Sequence, residues 1–127
     1  MSKKLTTTLC AFALVLALSI MAAAQDHKSM SWTGNIVDKA CSAKVSKAEN
    51  PGEAAATHKK GCSLSEGCLK SGLGLFADGK FVEFDEKGAG LAKSALEKTS
   101  KANGAKFKVT GMLHDGKLMV ENITEVE

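Results

Sequence analysis

The chain has 127 residues, of which 17 are basic, all of them lysine, and 14 are acidic, so the formal net charge is +3. This length predicts one domain with a modest core, which argues against a multidomain enzyme or a polytopic membrane protein. Seventeen apolar residues lie in the first 24 positions, which leaves the other 103 residues about 38% apolar. Without Lys3 and Lys4 the net charge is only +1, too small to select a polyanionic partner.

The first 24 residues have the pattern of a secretory signal peptide. Residues 1–4 are positively charged, 9–21 are mostly apolar, and 22–24 are small residues suited to cleavage before residue 25. The apolar stretch is shorter than the ~20 residues of a membrane-spanning helix. We therefore predict export to the periplasm or the extracellular space, no stable membrane insertion after cleavage, and a flexible lead-in at 25–30.

A first strand and a long insertion follow the lead-in. Residues 31–38 alternate between apolar and polar, which predicts a half-buried strand. Residues 39–72 are predicted to form an insertion. Its first part, up to Gly61, is polar and contains several alanines, and this composition predicts a loop with at most one short helix. At the end of the insertion, 63–66 fits a capping box, which predicts a short helix that Gly72 ends.

Two Asp-Gly pairs, at 78–79 and 115–116, indicate β-hairpins. Asp-Gly between apolar runs favours a tight turn in which both central residues have positive φ. In the last strand the alternation changes parity near Asn122, which predicts a β-bulge. The four strands that flank the two turns are predicted at 73–77, 80–85, 106–114 and 117–124.

A helix is predicted between the hairpins, at 90–101, from apolar residues at helical spacing. The order of strand, insertion, two strands, helix and two strands is that of an OB-fold. Glycines at 34, 74 and 111 suit its strongly bent strands. We predict one mainly β, α+β domain over 31–126, an OB-fold-like five-stranded small barrel with one or two helices. A plain meander sheet covered by a helix is the structural alternative.

Short motifs are spread over nearly the whole chain after the leader. They are 32–38, Cys41, His58, Cys62, Cys68, 77–80 and 109–113. With these motifs the chain resembles a family of small exported bacterial proteins that have an OB-like core and no assigned function. In the family pattern the histidine and the two later cysteines lie closer together than they do here. The resemblance implies an OB-like fold with a Cys/His-containing insertion after the first strand, and it implies no particular activity.

Three cysteines follow the leader, Cys41, Cys62 and Cys68, and an odd number in an exported protein needs an explanation. A disulfide from Cys41 to Cys62 or Cys68 is one explanation, and closing such a loop contributes about 3 kcal/mol. A metal site is the other, because His58 completes a Cys₃His set that suits zinc, and thiolates also attract Cu(I). The sequence therefore predicts either a disulfide or a Zn or Cu centre at Cys41, His58, Cys62 and Cys68.

The expected function is that of a non-enzymatic exported binding or structural module whose ligand the sequence does not identify. The alternative is a periplasmic thiol-redox or metal-handling protein that uses Cys62 and Cys68. Lys59, Lys60 and a following helix N-terminus would lower the pKa of the Cys62 thiol. Nucleic acid is not expected as a partner, because arginine is absent and the aromatic residues are needed for the core. No catalytic residue is predicted, since no nucleophile elbow or glycine-rich phosphate loop occurs.

Overall fold

The computed structural model describes residues 28–127, so the predicted signal peptide and residues 25–27 of the predicted lead-in lie outside the described residues. The described part is a small α+β domain with five strands and five helices, and none of these helices is long and apolar enough to span a membrane. The strands are β1 (Met30–Asp38), β2 (Leu73–Ala77), β3 (Lys80–Phe84), β4 (Lys106–His114) and β5 (Lys117–Val126). The helices are α1 (Lys39–Ser46), α2 (Pro51–Thr57), α3 (Lys60–Ser63), α4 (Glu66–Ser71) and α5 (Glu86–Lys98).

All five strands belong to one sheet that closes on itself in the order β1-β2-β3-β5-β4, with β4 pairing back to β1. Neighbouring strands are antiparallel except β3 and β5, which pair in parallel. Strand β1 pairs with two neighbours: its first half, 30–34, pairs with β4, and its second half, 35–38, pairs with β2. The end of β1 therefore lies beside the start of β2, and the insertion leaves and re-enters the sheet at the same place.

Gly34 lies where β1 changes partner. A Cβ atom at this position would overlap the backbone carbonyl of Phe76 on β2. Gly111 on β4 is in the same situation, because a Cβ there would overlap the backbone carbonyl of Met119 on β5. The sequence predicts these glycines from the bending of the strands, whereas the reason seen in the structure is the close approach of neighbouring backbones.

Both hairpins have the predicted turns and the second has the predicted bulge. The four turn residues all have positive φ, namely Asp78 (51°), Gly79 (76°), Asp115 (49°) and Gly116 (75°). In the second hairpin Thr110 pairs with Asn122 while Gly111 pairs with Val120, so Glu121 is the extra residue of the bulge. These features follow from local sequence signals alone.

The insertion is more helical than predicted. The sequence predicts one or two helices in the whole domain, whereas α1 to α4 lie within the insertion, so the predicted element order is wrong there. Each of these helices has between four and eight residues, too few for helical periodicity to be recognised. Local caps begin the first two: the side chain of Asp38 caps α1, and Asn50, followed by Pro51, caps α2.

Two predicted helix starts are also wrong. Ser63 does not cap a helix but ends α3 in a buried position, and Ser65, which precedes α4, makes no side-chain capping bond. Helix α5 begins four residues before the predicted Gly90. The cause is Asp85, whose carboxylate accepts a hydrogen bond from the N–H of Gly88 at 2.9 Å and so begins the helix earlier.

Apolar packing is divided between the interior of the closed sheet and a smaller layer beneath the insertion. Ile36 and Val37 belong to different clusters because successive side chains of a strand point to opposite faces. The larger cluster contains Ile36, Leu73, Leu75, Phe84, Ala92, Leu96, Ala105, Phe107, Val109, Leu118 and Val120. The smaller contains Val37, Val45, Ala55 and Phe76. Helices α1 and α2 of the insertion therefore pack on the outer face of β1 and β2, whereas Leu64 and Leu69 pack against the larger cluster.

Candidate metal centre

Asp38, the last residue of β1, is fully buried and organises the base of the insertion. Its Oδ2 accepts a hydrogen bond from the backbone N–H of Cys41 at 2.9 Å, which caps α1. Its Oδ1 lies 2.8 Å from Nε2 of His58 and accepts a bond from the Ser63 hydroxyl at 3.2 Å. His58 directly follows α2 and Ser63 ends α3. One carboxylate therefore ties three helices of the insertion to the sheet.

The charge of Asp38 determines which nitrogen of His58 is free. Burial raises the pKa of Asp38, but hydrogen bonds from His58, the Cys41 backbone and the Cys68 and Cys41 thiols together hold it below its ordinary value. The carboxylate is therefore ionised at neutral pH and only accepts hydrogen bonds. In the neutral imidazole Nε2 then carries the proton, and Nδ1 keeps a lone pair that can bind a metal.

Two groups of donor atoms share Cys41. In the first group the donor atoms of Cys41, His58 and Cys62 lie within 4.8 Å of one another. In the second the donor atoms of Asp38, Cys41 and Cys68 do so. The structure therefore brings three of the four predicted ligands into one group, and it places Cys68 in the other.

The three cysteines after the leader are free, so the described residues contain no disulfide. Burial, a hydrogen bond to Asp38 and the negative charge of that carboxylate raise the pKa of Cys41 to about 11. Cys41 is therefore a neutral thiol at physiological pH unless a cation is bound, and a coordinating metal ion deprotonates a thiol. Cys62 is exposed and Cys68 is half-buried.

The structure changes the argument for a reactive Cys62. The sequence places this residue just before a helix, but it lies within α3, which has only four residues. The ammonium group of Lys60 donates a hydrogen bond to the Thr99 carbonyl at 2.5 Å and so is directed toward that residue. Cys62 therefore lies neither before a helix N-terminus nor beside a free Lys60 ammonium group, and Lys59 is the one neighbour left of the three features that the sequence indicated.

An open cavity of about 390 Å³ lies beside the first donor group. All three donors of that group line it, whereas Cys68 does not. The full lining is Cys41, Lys44, Val45, Ala48, Ala54, Thr57, His58, Lys59 and Cys62. The first donor group is therefore accessible from this cavity, while Asp38 behind it is buried.

Sequence reasoning missed Asp38 and Ser63 as members of the site. For Asp38 a signal was present, because an aspartate three residues before Cys41, at a strand–insertion boundary, has the spacing of a helix N-cap. Ser63 carried a competing signal, since its spacing to Glu66 fits a capping box that the structure does not form. The bond from Ser63 to Asp38 spans 25 positions, so no local pattern predicts it.

The site combines a buried carboxylate, an imidazole held by that carboxylate, and two thiols in reach of the imidazole. This set of groups can bind a soft or borderline metal ion, and it can also carry thiol chemistry. Comparisons of the chain with protein-family models, with curated proteins and with solved structures give no match.

Proposed function

We propose that this chain is an exported module whose insertion binds one Zn(II) or Cu(I) ion through Cys41, His58 and Cys62. The observation that carries the proposal is the pair formed by Asp38 and His58, at 2.8 Å, next to two cysteine sulfurs. A metal-binding histidine usually donates its other ring N–H to a carboxylate, which fixes its tautomer and orientation. Thiolate and imidazole ligands together suit zinc and Cu(I).

The donor spacing supports the proposal because only a small rearrangement is needed. With bonds of about 2.0–2.3 Å, the donors of a tetrahedral zinc ion lie about 3.3–3.8 Å apart. The donors of Cys41, His58 and Cys62 lie within 4.8 Å of one another. Cys62 is exposed, so its side chain can rotate toward the ion while His58 stays held by Asp38.

The proposal includes an OB-like barrel and membership of the small exported bacterial proteins that the sequence resembles. The closed strand order, the parallel pairing of β3 with β5, and α5 between β3 and β4 all support it. They are the features of a five-stranded Greek-key barrel. The proposal of export is supported by the charged and apolar pattern of residues 1–24.

Native mass spectrometry of the reduced protein, titrated with Zn(II) or with Cu(I) in the absence of oxygen, tests the metal centre. We expect one ion per chain that is lost on denaturation. We expect His58→Ala to lower the metal affinity, measured by chelator competition, by more than roughly 100-fold. Loss of a residue that only hydrogen-bonds a metal ligand typically lowers affinity by up to about that factor, and His58 is proposed as a ligand itself. His114→Ala is the matched control, because His114 is the exposed last residue of β4 and its Nε2 lies 3.1 Å from Oδ2 of Asp115. Equal affinities in the two variants would contradict the proposal.

The alternative is thiol-redox chemistry, and intact mass under denaturing conditions with thiol alkylation distinguishes it. Cys62 and Cys68 lie in different donor groups that both contain Cys41. A disulfide is therefore expected to join Cys41 to one of them rather than Cys62 to Cys68. A mass lower by two hydrogens, with a single alkylated thiol after the leader, would show a disulfide, whether structural or redox-active, and contradict the metal centre.

A further inference from the structure

We infer that the proposed metal centre is open: its fourth position faces the cavity and binds a small thiol that carries a carboxylate. The inference rests on the proposed function and adds the class of ligand that the site binds. Three protein ligands and one exchangeable position characterise metal sites that bind an external molecule, whereas structural zinc sites use four protein ligands.

The positions of the three cysteines argue for an open centre. Cys41 and Cys62 line the cavity together with His58, so an ion bound to all three is reached from it. Cys68 neither lines the cavity nor belongs to their donor group. It lies instead in the group that contains the buried Asp38.

The charge of the cavity favours an anion. Lys44 and Lys59 line it, both are exposed, and the described lining contains no acidic residue. The neighbouring Lys60 is held by the Thr99 carbonyl. Lys44 and Lys59 therefore make the cavity positively charged, and they attract a negatively charged ligand.

The metal and the cavity wall together define the ligand. A centre built on two thiolates and an imidazole binds soft ions, and such ions prefer a further sulfur donor. Val45, Ala48 and Ala54 form an apolar wall that suits the methylene groups of a short chain. On binding, the thiol would lose its proton to the buffer and its sulfur would replace the exchangeable water at the fourth position, while the carboxylate would lie against Lys44 and Lys59.

Cobalt substitution tests the inference, because Co(II) binds the ligands that zinc binds and absorbs visible light. The Co(II)-loaded protein is titrated with 3-mercaptopropionate and, separately, with cysteamine, two short thiols of opposite charge. We expect both to add thiolate-to-cobalt absorption, with 3-mercaptopropionate half-saturating at roughly tenfold lower concentration, as two exposed ion pairs permit. The double variant Lys44→Ala/Lys59→Ala is expected to lose most of this difference. Lys47→Ala/Lys87→Ala, at two exposed lysines outside the cavity, is the matched control.

Alkylation of the cobalt-loaded wild-type protein locates the fourth ligand without a variant. We expect iodoacetamide to modify Cys68 while Cys41 and Cys62 stay protected. Protection of Cys68 in the cobalt-loaded protein but not in the metal-free protein would identify it as the fourth ligand and overturn the inference, although the metal centre would stand. Unchanged cobalt absorption with either thiol, or cobalt released into the ultrafiltrate, would also overturn the inference. Failure of cobalt to bind at all would contradict the proposed function itself.

Discussion

Asp38 is a buried carboxylate with a separate task for each oxygen. An isolated charge in the interior is costly, but this one is held by Cys41, His58 and Ser63. Among the described residues no buried side-chain nitrogen or oxygen lacks a partner, so the structure accommodates the charge completely. One of the bonds that stabilise the carboxylate also holds the His58 ring through its Nε2.

Asp38→Asn tests this orientation with almost no change in volume. An amide that faces His58 donates to Nε2, so the ring proton moves to Nδ1 and removes the lone pair that binds metal. We expect metal affinity, measured by chelator competition, to fall about 10–100-fold while circular dichroism shows a folded protein. Asp85→Asn is the control, because Asp85 also caps a helix but only accepts from the N–H groups of Gly88 and Val120. Unchanged affinity in Asp38→Asn would mean that His58 does not bind metal through Nδ1.

The thiol of Cys41 is expected to show a steep pH dependence in the metal-free, reduced protein. The thiolate is the reactive form, and the pKa of Cys41 is raised to about 11, so the thiolate fraction grows as the pH rises toward that value. We expect its alkylation rate to increase roughly tenfold per unit from about pH 8 to about pH 10. Peptide mass spectrometry gives the rate at each cysteine. A rate at Cys41 that levels off below about pH 9 would contradict the raised pKa.

At the scale of strands and helices, glycine is required at one position and destabilising at another. Gly34 on β1 leaves no room for a side chain beside Phe76, whereas Gly90, within α5, is exposed, and a Cβ atom added there would have open space within 4 Å. The first glycine is required by strand packing. The second only weakens a helix, because glycine loses more backbone entropy on folding than alanine does.

Alanine at the two positions is therefore expected to change stability in opposite directions. Gly34→Ala forces β1 away from β2 and is expected to lower the free energy of unfolding by about 1–3 kcal/mol. Gly90→Ala is expected to raise it by roughly 0.5–1 kcal/mol. Urea denaturation measures both changes. Equal stability of the two variants would show that the strands can separate at Gly34 without cost.

The short helices of the insertion depend on their surroundings more than α5 does. An isolated helix of so few residues is unstable in water, because the conformational entropy lost in forming the first turn exceeds the free energy gained from the hydrogen bonds of one or two turns. Here the backbone N–H of Lys39 donates to the Gly72 carbonyl at 2.9 Å and so joins the two ends of the insertion. Asp38 caps α1 and binds His58 and Ser63, which holds the middle of the insertion. These polar bonds and the small cluster around Val45 stabilise α1, α2 and α3, whereas Leu69 of α4 packs against the larger cluster.

At the scale of the whole molecule, the two apolar clusters predict how metal binding affects stability. The proposed ligands all belong to the insertion, whereas the larger cluster lies inside the closed sheet. The sheet is therefore expected to fold without metal, and bound metal is expected to stabilise mainly the insertion. With free metal at 100 times its Kd the stabilisation is about 2.7 kcal/mol.

Hydrogen–deuterium exchange of the metal-loaded and chelator-treated protein measures this effect by region. We expect the added protection in α1, α2 and α3, with little change in β4, β5 and α5. The backbone amides of β4 and β5 are the internal control, since their hydrogen bonds belong to the closed sheet. Loss of protection in β4 and β5 on chelation would show that the sheet itself needs the metal.

The sequence alone determined the features that neighbouring residues encode. Asp78 and Gly79, like Asp115 and Gly116, predict their turns because their φ preferences act within two residues. The bulge near Asn122 and the helix end at Gly72 are equally local, and both are confirmed. The small α+β domain with a five-stranded sheet is also confirmed, whereas the strand and helix order differs from the prediction because four short helices lie where the sequence predicts a loop and one helix.

Only the tertiary structure decided how the donor residues group. Cys41, His58, Cys62 and Cys68 could be named from the sequence as chemically capable ligands, but their division into two groups around Cys41 could not. That division depends on how α1 and α2 pack against the outer face of β1 and β2, and on the bonds that Asp38 makes with residues 20 and 25 positions away. Turn and cap preferences act between neighbours, whereas the position of a donor atom is the sum of many weak contacts between distant segments, and that sum exists only in the folded chain.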